Sequence, residues 1–203
     1  ALQSYRSAVS LKPSFPEAHL GLGETLIVLG RPAQAIEALQ AALALNEDFA
    51  EAHSNLGVAL CAAGRLDEAL ASCQRAIVLK PELATAHLNA GNVLREKGFL
   101  DEAIAAYRAA IECDPRLAEA FNNLGNALKH QGKPGEALQC YEHAVALAPE
   151  FAEPRLNAAK LLREEGKLTQ AAAAYRALLE GYPDLAEAHF DLGNALKGMG
   201  DAA

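Results

Sequence analysis

Apolar residues along the chain fall into paired runs of helical spacing, and a glycine returns between the members of each pair at a fixed interval of 34 residues: Gly30, Gly64, Gly98, Gly132, Gly166 and Gly200. Counted from Pro16, Ala50, Ala84, Ala118, Ala152 and Ala186, these glycines occupy position 15 of a repeating unit. Each is expected to end a first helix, A, in the left-handed conformation that a Cβ would penalise. Within helix A, leucine fills position 11 in every unit (Leu26, Leu60, Leu94, Leu128, Leu162, Leu196). Position 8 is Gly23, Gly57, Gly91, Gly125 and Gly193, with Ala159 as the one replacement, a size that lets two helix backbones approach.

A second helix, B, follows the glycine. Its position 20 is always alanine, its position 27 is alanine except at Leu178, and its position 24 is large (Tyr5, Leu39, Tyr107, Tyr141, Tyr175) except at Cys73. Proline at position 32 (Pro13, Pro81, Pro115, Pro149, Pro183, with Glu47 the exception) stops helix B before the next unit. Every unit therefore predicts a helical hairpin. The expected order is helix B of a partial unit over 1–15, full units over 16–49, 50–83, 84–117, 118–151 and 152–185, and a helix A from 186 to about 199 in a final partial unit, 186–203.

These columns resemble the tetratricopeptide repeat (TPR), W-x-x-L-G-x-x-Y, then A-x-x-x-F, then P, across essentially the whole chain. His or Phe stands for the usual Trp at position 4, and Leu for Tyr at position 11. The resemblance implies an all-α fold, a right-handed superhelix or α-solenoid with A helices lining a concave groove and B helices outside. It also implies a single array over 1–203 whose business is protein or peptide binding.

Composition narrows the function. Eighteen basic against 26 acidic residues leave a net charge of −8, which argues against nucleic acid as the partner. No apolar run is long enough to span a membrane and the first residues do not form a signal peptide. Cys61, Cys73, Cys113 and Cys140 show no C-x-x-C pair, so reduced thiols and a cytoplasmic location are expected, with Cys73 and Cys113 at core columns 24 and 30. His19, His53, His87 and His189 all fall at position 4 and follow the repeat, while His130 and His143 lack partners at ligand spacing. No metal, no cofactor and no catalytic residue is expected: nucleophile-elbow, phosphate-loop, dinucleotide and H-E-x-x-H motifs are missing. The acidic pairs Asp67-Glu68 and Asp101-Glu102 begin helix B, where they favour the helix dipole.

One column is not explained by packing. Asn55, Asn89, Asn123 and Asn157 hold position 6 in four consecutive units, well away from core positions 4, 8 and 11 at about 100° per residue. Position 9 adds Asn92, Asn126 and Asn194, with Lys160 between them, and position 13 adds Glu96, His130 and Glu164. Asparagine is a mediocre helix former, so helicity does not ask for it. An amide offers an acceptor and two donors, and a file of them can pair with the backbone of an extended peptide of any sequence. The file resembles the asparagine ladder of the TPR arm of O-linked N-acetylglucosamine transferases, whose amides hold substrate backbones; Gly21 and Asp191 depart from it at either end. The alternative is amide bonding between repeats that orders the stack, and both roles are compatible.

Position 12 becomes basic toward the C-terminus (Ile27, Cys61, Arg95, Lys129, Arg163, Lys197), while position 2 is acidic in all units but one, Thr85. The row Arg95, Lys129, Arg163 is either plain solvated surface or a flank that steers acidic segments into the groove. The carboxylate clamp of chaperone-binding TPR domains is missing, since position 5 reads Leu20, Ser54, Leu88, Asn122, Leu156 and position 2 has no lysine. Three functions are consistent with this pattern: a non-catalytic peptide-binding scaffold, the substrate-presenting arm of a larger enzyme such as a glycosyltransferase, and a structural protein that self-associates through uncapped array ends at Leu192, Leu196 and their neighbours.

Overall fold

The computed structural model describes residues 1–201. Those residues form twelve α-helices and no strand. They divide into two compact units, one over Ala1–Pro115 and one from Arg116 onward. The first holds α1 (Leu2–Leu11), α2 (Pro16–Val28), α3 (Pro32–Leu45), α4 (Ala50–Ala62), α5 (Leu66–Leu79), α6 (Ala84–Glu96) and α7 (Leu100–Cys113). The second holds α8 (Ala118–His130), α9 (Pro134–Leu147), α10 (Ala152–Glu164), α11 (Leu168–Gly181) and α12 (Ala186–Asp201). Within each, an even-numbered A helix packs on the B helix after it and on the next A helix, α2 on α4 and α4 on α6 in the first, α8 on α10 and α10 on α12 in the second.

The hairpin turn is built as the glycine column predicts. Gly30, Gly64, Gly98, Gly132 and Gly166 have φ between 65° and 84°. The residue after each glycine donates its N–H to the carbonyl of the position-11 leucine, as in Arg31 to Leu26 and Lys133 to Leu128, both 2.9 Å. That 6→1 bond is a Schellman closure, so one leucine column both fills the core and terminates helix A. Gly200 departs from the expectation: it lies inside α12, without a positive φ.

Packing inside a hairpin is a match of small against large. A Cβ at Gly91 would lie 2.6 Å from the Tyr107 ring, and one at Gly125 2.6 Å from Tyr141. In the second repeat Gly57 faces Cys73, whose sulfur a Cβ would meet at 2.3 Å. Position 24 therefore lies across position 8, and Tyr107, Tyr141 and Tyr175 are completely buried. The alanines at position 20 from Ala35 to Ala171 are equally buried.

Histidine at position 4 links successive repeats. His19, His53, His87 and His189 each donate Nε2–H to the carbonyl of position 32 in the preceding repeat, at 2.8 to 2.9 Å. Phe121 replaces it in the fourth repeat and stacks near His143, with ring centroids 5.4 Å apart. In the fifth repeat the residue is Arg155, neither His nor Phe. Column 30 also differs from expectation, since Cys113 is exposed and its thiol only reaches the Pro81 carbonyl at 3.6 Å. Position 30 is the last residue of helix B, where the chain leaves the core; Leu11 in the same column is 87% exposed.

Candidate peptide-binding surface

In the first unit the asparagine stripe is half-buried and already bonded. Asn55 donates Nδ2–H to Glu24 Oε1 at 2.9 Å, across to the preceding A helix. Asn89 donates to the Ser54 hydroxyl at 2.9 Å. Ser54 is only 2% exposed, so this bond satisfies a polar group that the sheltered position would otherwise strand. Asn92, at position 9, accepts from the buried Tyr107 hydroxyl at 2.9 Å.

The second unit repeats the arrangement. Asn157 donates to Asn122 Oδ1 at 3.0 Å, and Asn122 in turn donates to Glu153 at 3.0 Å. Asn123 stands beside Asn122, accepting a longer bond of 3.4 Å. Asn126 accepts from Tyr141 at 2.8 Å, while Asn194 is exposed. Where Lys160 replaces the position-9 asparagine, the Tyr175 hydroxyl has no hydrogen-bond partner. Burial pushes its phenol up, and the neighbouring Arg163 guanidinium opposes that shift. Asp191, the sixth residue of the last partial repeat, is 6% exposed and lies 3.5 Å from Arg163.

The amides keep capacity in reserve. The bonds of Asn55 and Asn157 use one N–H each, Asn89 adds a longer 3.5 Å bond to the Ser54 carbonyl, and none of the three carbonyl oxygens is a buried orphan. A side-chain amide held by one bond has a fixed orientation and offers its remaining groups without further ordering cost.

The position-12 row is charge-compensated. Arg95 pairs with Glu96 at 2.8 Å, Lys129 with Glu164 at 2.8 Å, and Arg163 with Asp191. Position 13, noted in the sequence as part of a polar stripe, thus supplies two of the three counter-ions. Position 5, read in the sequence only against the carboxylate clamp, carried a second signal: its alternation of leucine with Ser54 and Asn122 marks the buried acceptors that the next repeat's amide requires. Among the described residues no three metal-ligating side chains come together, and no helix is long and apolar enough to cross a membrane.

Stacked helical hairpins with a left-handed glycine and a small-on-large seam define a helical-repeat scaffold. The chain belongs to the tetratricopeptide repeat family: TPR models match residues 1–43 and 25–84, 118–151, and 91–132 and 159–200. Among solved structures, MamA is 30% identical over 75% of this chain and 89% of that one, with a TM-score of 0.61. TTC0263, a thermophilic TPR protein of Thermus thermophilus, is 24% identical over 90% and 99%, with a TM-score of 0.75. YrrB, described as a TPR protein with an unusual peptide-binding site, is 19% identical over 94% and 98%, with a TM-score of 0.65. No curated protein sequence matches significantly.

Proposed function

We propose that this chain is a non-catalytic scaffold whose A-helix faces bind extended protein segments through backbone groups. In the first unit the binding residues are Asn55, Asn89 and Asn92, flanked by Arg95; in the second they are Asn123, Asn126, Asn157 and Asn194, flanked by Lys129 and Arg163. The observation that carries the reading is the half-satisfied amide: Asn55 and Asn157 are each pinned to the preceding A helix by one bond and retain an N–H and a carbonyl oxygen. An extended peptide presents the complementary acceptor and donor at every residue, so such a face favours no particular side chain. The ion pairs along position 12 reduce any preference for acidic segments to steering of the approach. YrrB, described with a peptide-binding site of its own, supports the reading by analogy of fold. The same face would serve equally as the substrate-presenting arm of a larger enzyme.

A second reading is favoured by one observation: Phe190 on α12 is 72% exposed, an apolar side chain suited to self-association.

The test is isothermal titration of two extended peptides of unrelated sequence against the protein and against the fourfold Asn55→Ala, Asn89→Ala, Asn123→Ala, Asn157→Ala variant. Each lost neutral bond contributes roughly 0.5–1.5 kcal/mol, so affinity should fall by about 2–6 kcal/mol, similarly for both peptides. A variant that melts earlier but binds normally per folded molecule would show that the asparagines only order the stack.

A further inference from the structure

The fifth repeat departs from its neighbours at a place apart from the amide stripe. A recess of about 380 Å³ opens between α9, α10 and α11, lined by Glu142 and Val145, by Arg155 and Ala158, and by Ala174 and Ala177. Position 7 is leucine in the first, second and fourth repeats (Leu22, Leu56, Leu124) but Ala158 here, and position 4 carries Arg155. The third repeat also has alanine at position 7, Ala90, but keeps a bonded histidine, His87, at position 4. The fifth alone therefore combines a small residue at position 7 with a cation at position 4. A comparable recess of about 410 Å³ lies between α1, α2 and α3, but there His19 is bonded to the Pro13 carbonyl and Leu22 is in place.

Arg155 has no such anchor. It is half-buried, makes no hydrogen bond or ion pair, and its Nε is a buried donor with no acceptor. Glu142 lines the same recess yet does not pair with it. An unpaired guanidinium set among alanine and valine is complementary to one carboxylate attached to apolar surface. The Glu142 carboxylate disfavours a run of acids, so a single one fits. A recess of this size accommodates one large aliphatic side chain beside it.

We propose that this recess docks a partner-protein segment in which a large aliphatic residue adjoins one acidic residue, the aliphatic group lying over Ala158 and Ala177 and the carboxylate on Arg155. The site is separate from the asparagine faces and stands or falls independently of them.

Amide-resolved NMR titration tests it with the capped peptide acetyl-Ser-Leu-Asp-Ser-amide, alongside its Asn and Lys counterparts in place of Asp. The Asp peptide should give saturable shifts centred on Val145, Ala158, Ala174 and Ala177, and the Asn peptide should bind about tenfold more weakly, the loss of one charge-assisted hydrogen bond. Arg155→Gln should remove the difference between the Asp and Asn peptides. Ala158→Leu, which restores the residue found at position 7 in most repeats, should fold normally and abolish the shifts. Equal binding of the Asp and Lys peptides, shifts confined to the asparagine faces, absence of saturable shifts, or shifts produced by decanoate and not by the peptide would each overturn the proposal.

Discussion

Asn157 Nδ2 lies 3.0 Å from Asn122 Oδ1, joining side chains 35 residues apart on neighbouring A helices. Asn122 is 1% exposed, so the bond satisfies a buried amide that water cannot reach. Asn157→Ala should therefore cost about 1–3 kcal/mol, the desolvation cost of an orphaned carbonyl, offset slightly by alanine's helix propensity. Replacing Asn122 by leucine, the residue at position 5 in the alternate repeats, should relieve most of that loss in the double variant. Urea denaturation of the four proteins gives the coupling; a value below about 0.3 kcal/mol would mean that the bond orders nothing.

Gly98 has φ 84° and open space around the point where a Cβ would stand. Substitution there meets no neighbour, so its cost comes from the backbone alone. Gly98→Val should destabilise by about 1–3 kcal/mol, and Gly98→Asn by distinctly less, because asparagine tolerates the left-handed region. Thermal melts of the two variants should keep this order. Equal losses would place the strain elsewhere.

The left-handed glycines were legible in the sequence because a fixed conformation needs one residue type, and a 34-residue period repeats that need. Gly200 shows the limit: the residue type recurs, but α12 runs through it without a positive φ. The exposure of Cys113 was hidden for a related reason, since hydropathy marks a column as apolar without telling whether helix B still touches its neighbour there. The position-5 pair Ser54 and Asn122 was visible as a departure from its column. Its partners were not, because bonds between residues 31 to 35 apart depend on how one hairpin is rotated on the next.

Thiol chemistry should separate two cysteines. Burial pushes Cys73 up to about 12, while Cys113 is exposed. Iodoacetamide at mildly alkaline pH should modify Cys113 rapidly and Cys73 only on unfolding, as peptide mapping would show. The fold favours the neutral Cys73 thiol, so the stabilisation is complete below the unfolded thiol's pKa near 9 and is lost as pH rises from there toward about 12. Cys73→Ser should flatten that alkaline decline. An unchanged decline would assign it to other groups.

Apolar surface on α12 is left uncovered. Phe190 is 72% and Leu196 39% exposed, whereas Leu26, Leu60 and Leu128 in the same column as Leu196 are at most 3% exposed. In the complete repeats this column is covered by the following helix B, and each such leucine contributes roughly 1.5–3 kcal/mol through burial. Uncovered apolar surface of this kind favours association with whatever apolar face is available, including another copy of the chain. Sedimentation velocity over a concentration series should therefore show reversible self-association of the 203-residue chain. The double variant Phe190→Ser, Leu196→Glu should shift it toward monomer with little change in helix content by circular dichroism. If dimers persist unchanged at equal concentration, α12 is not the contact.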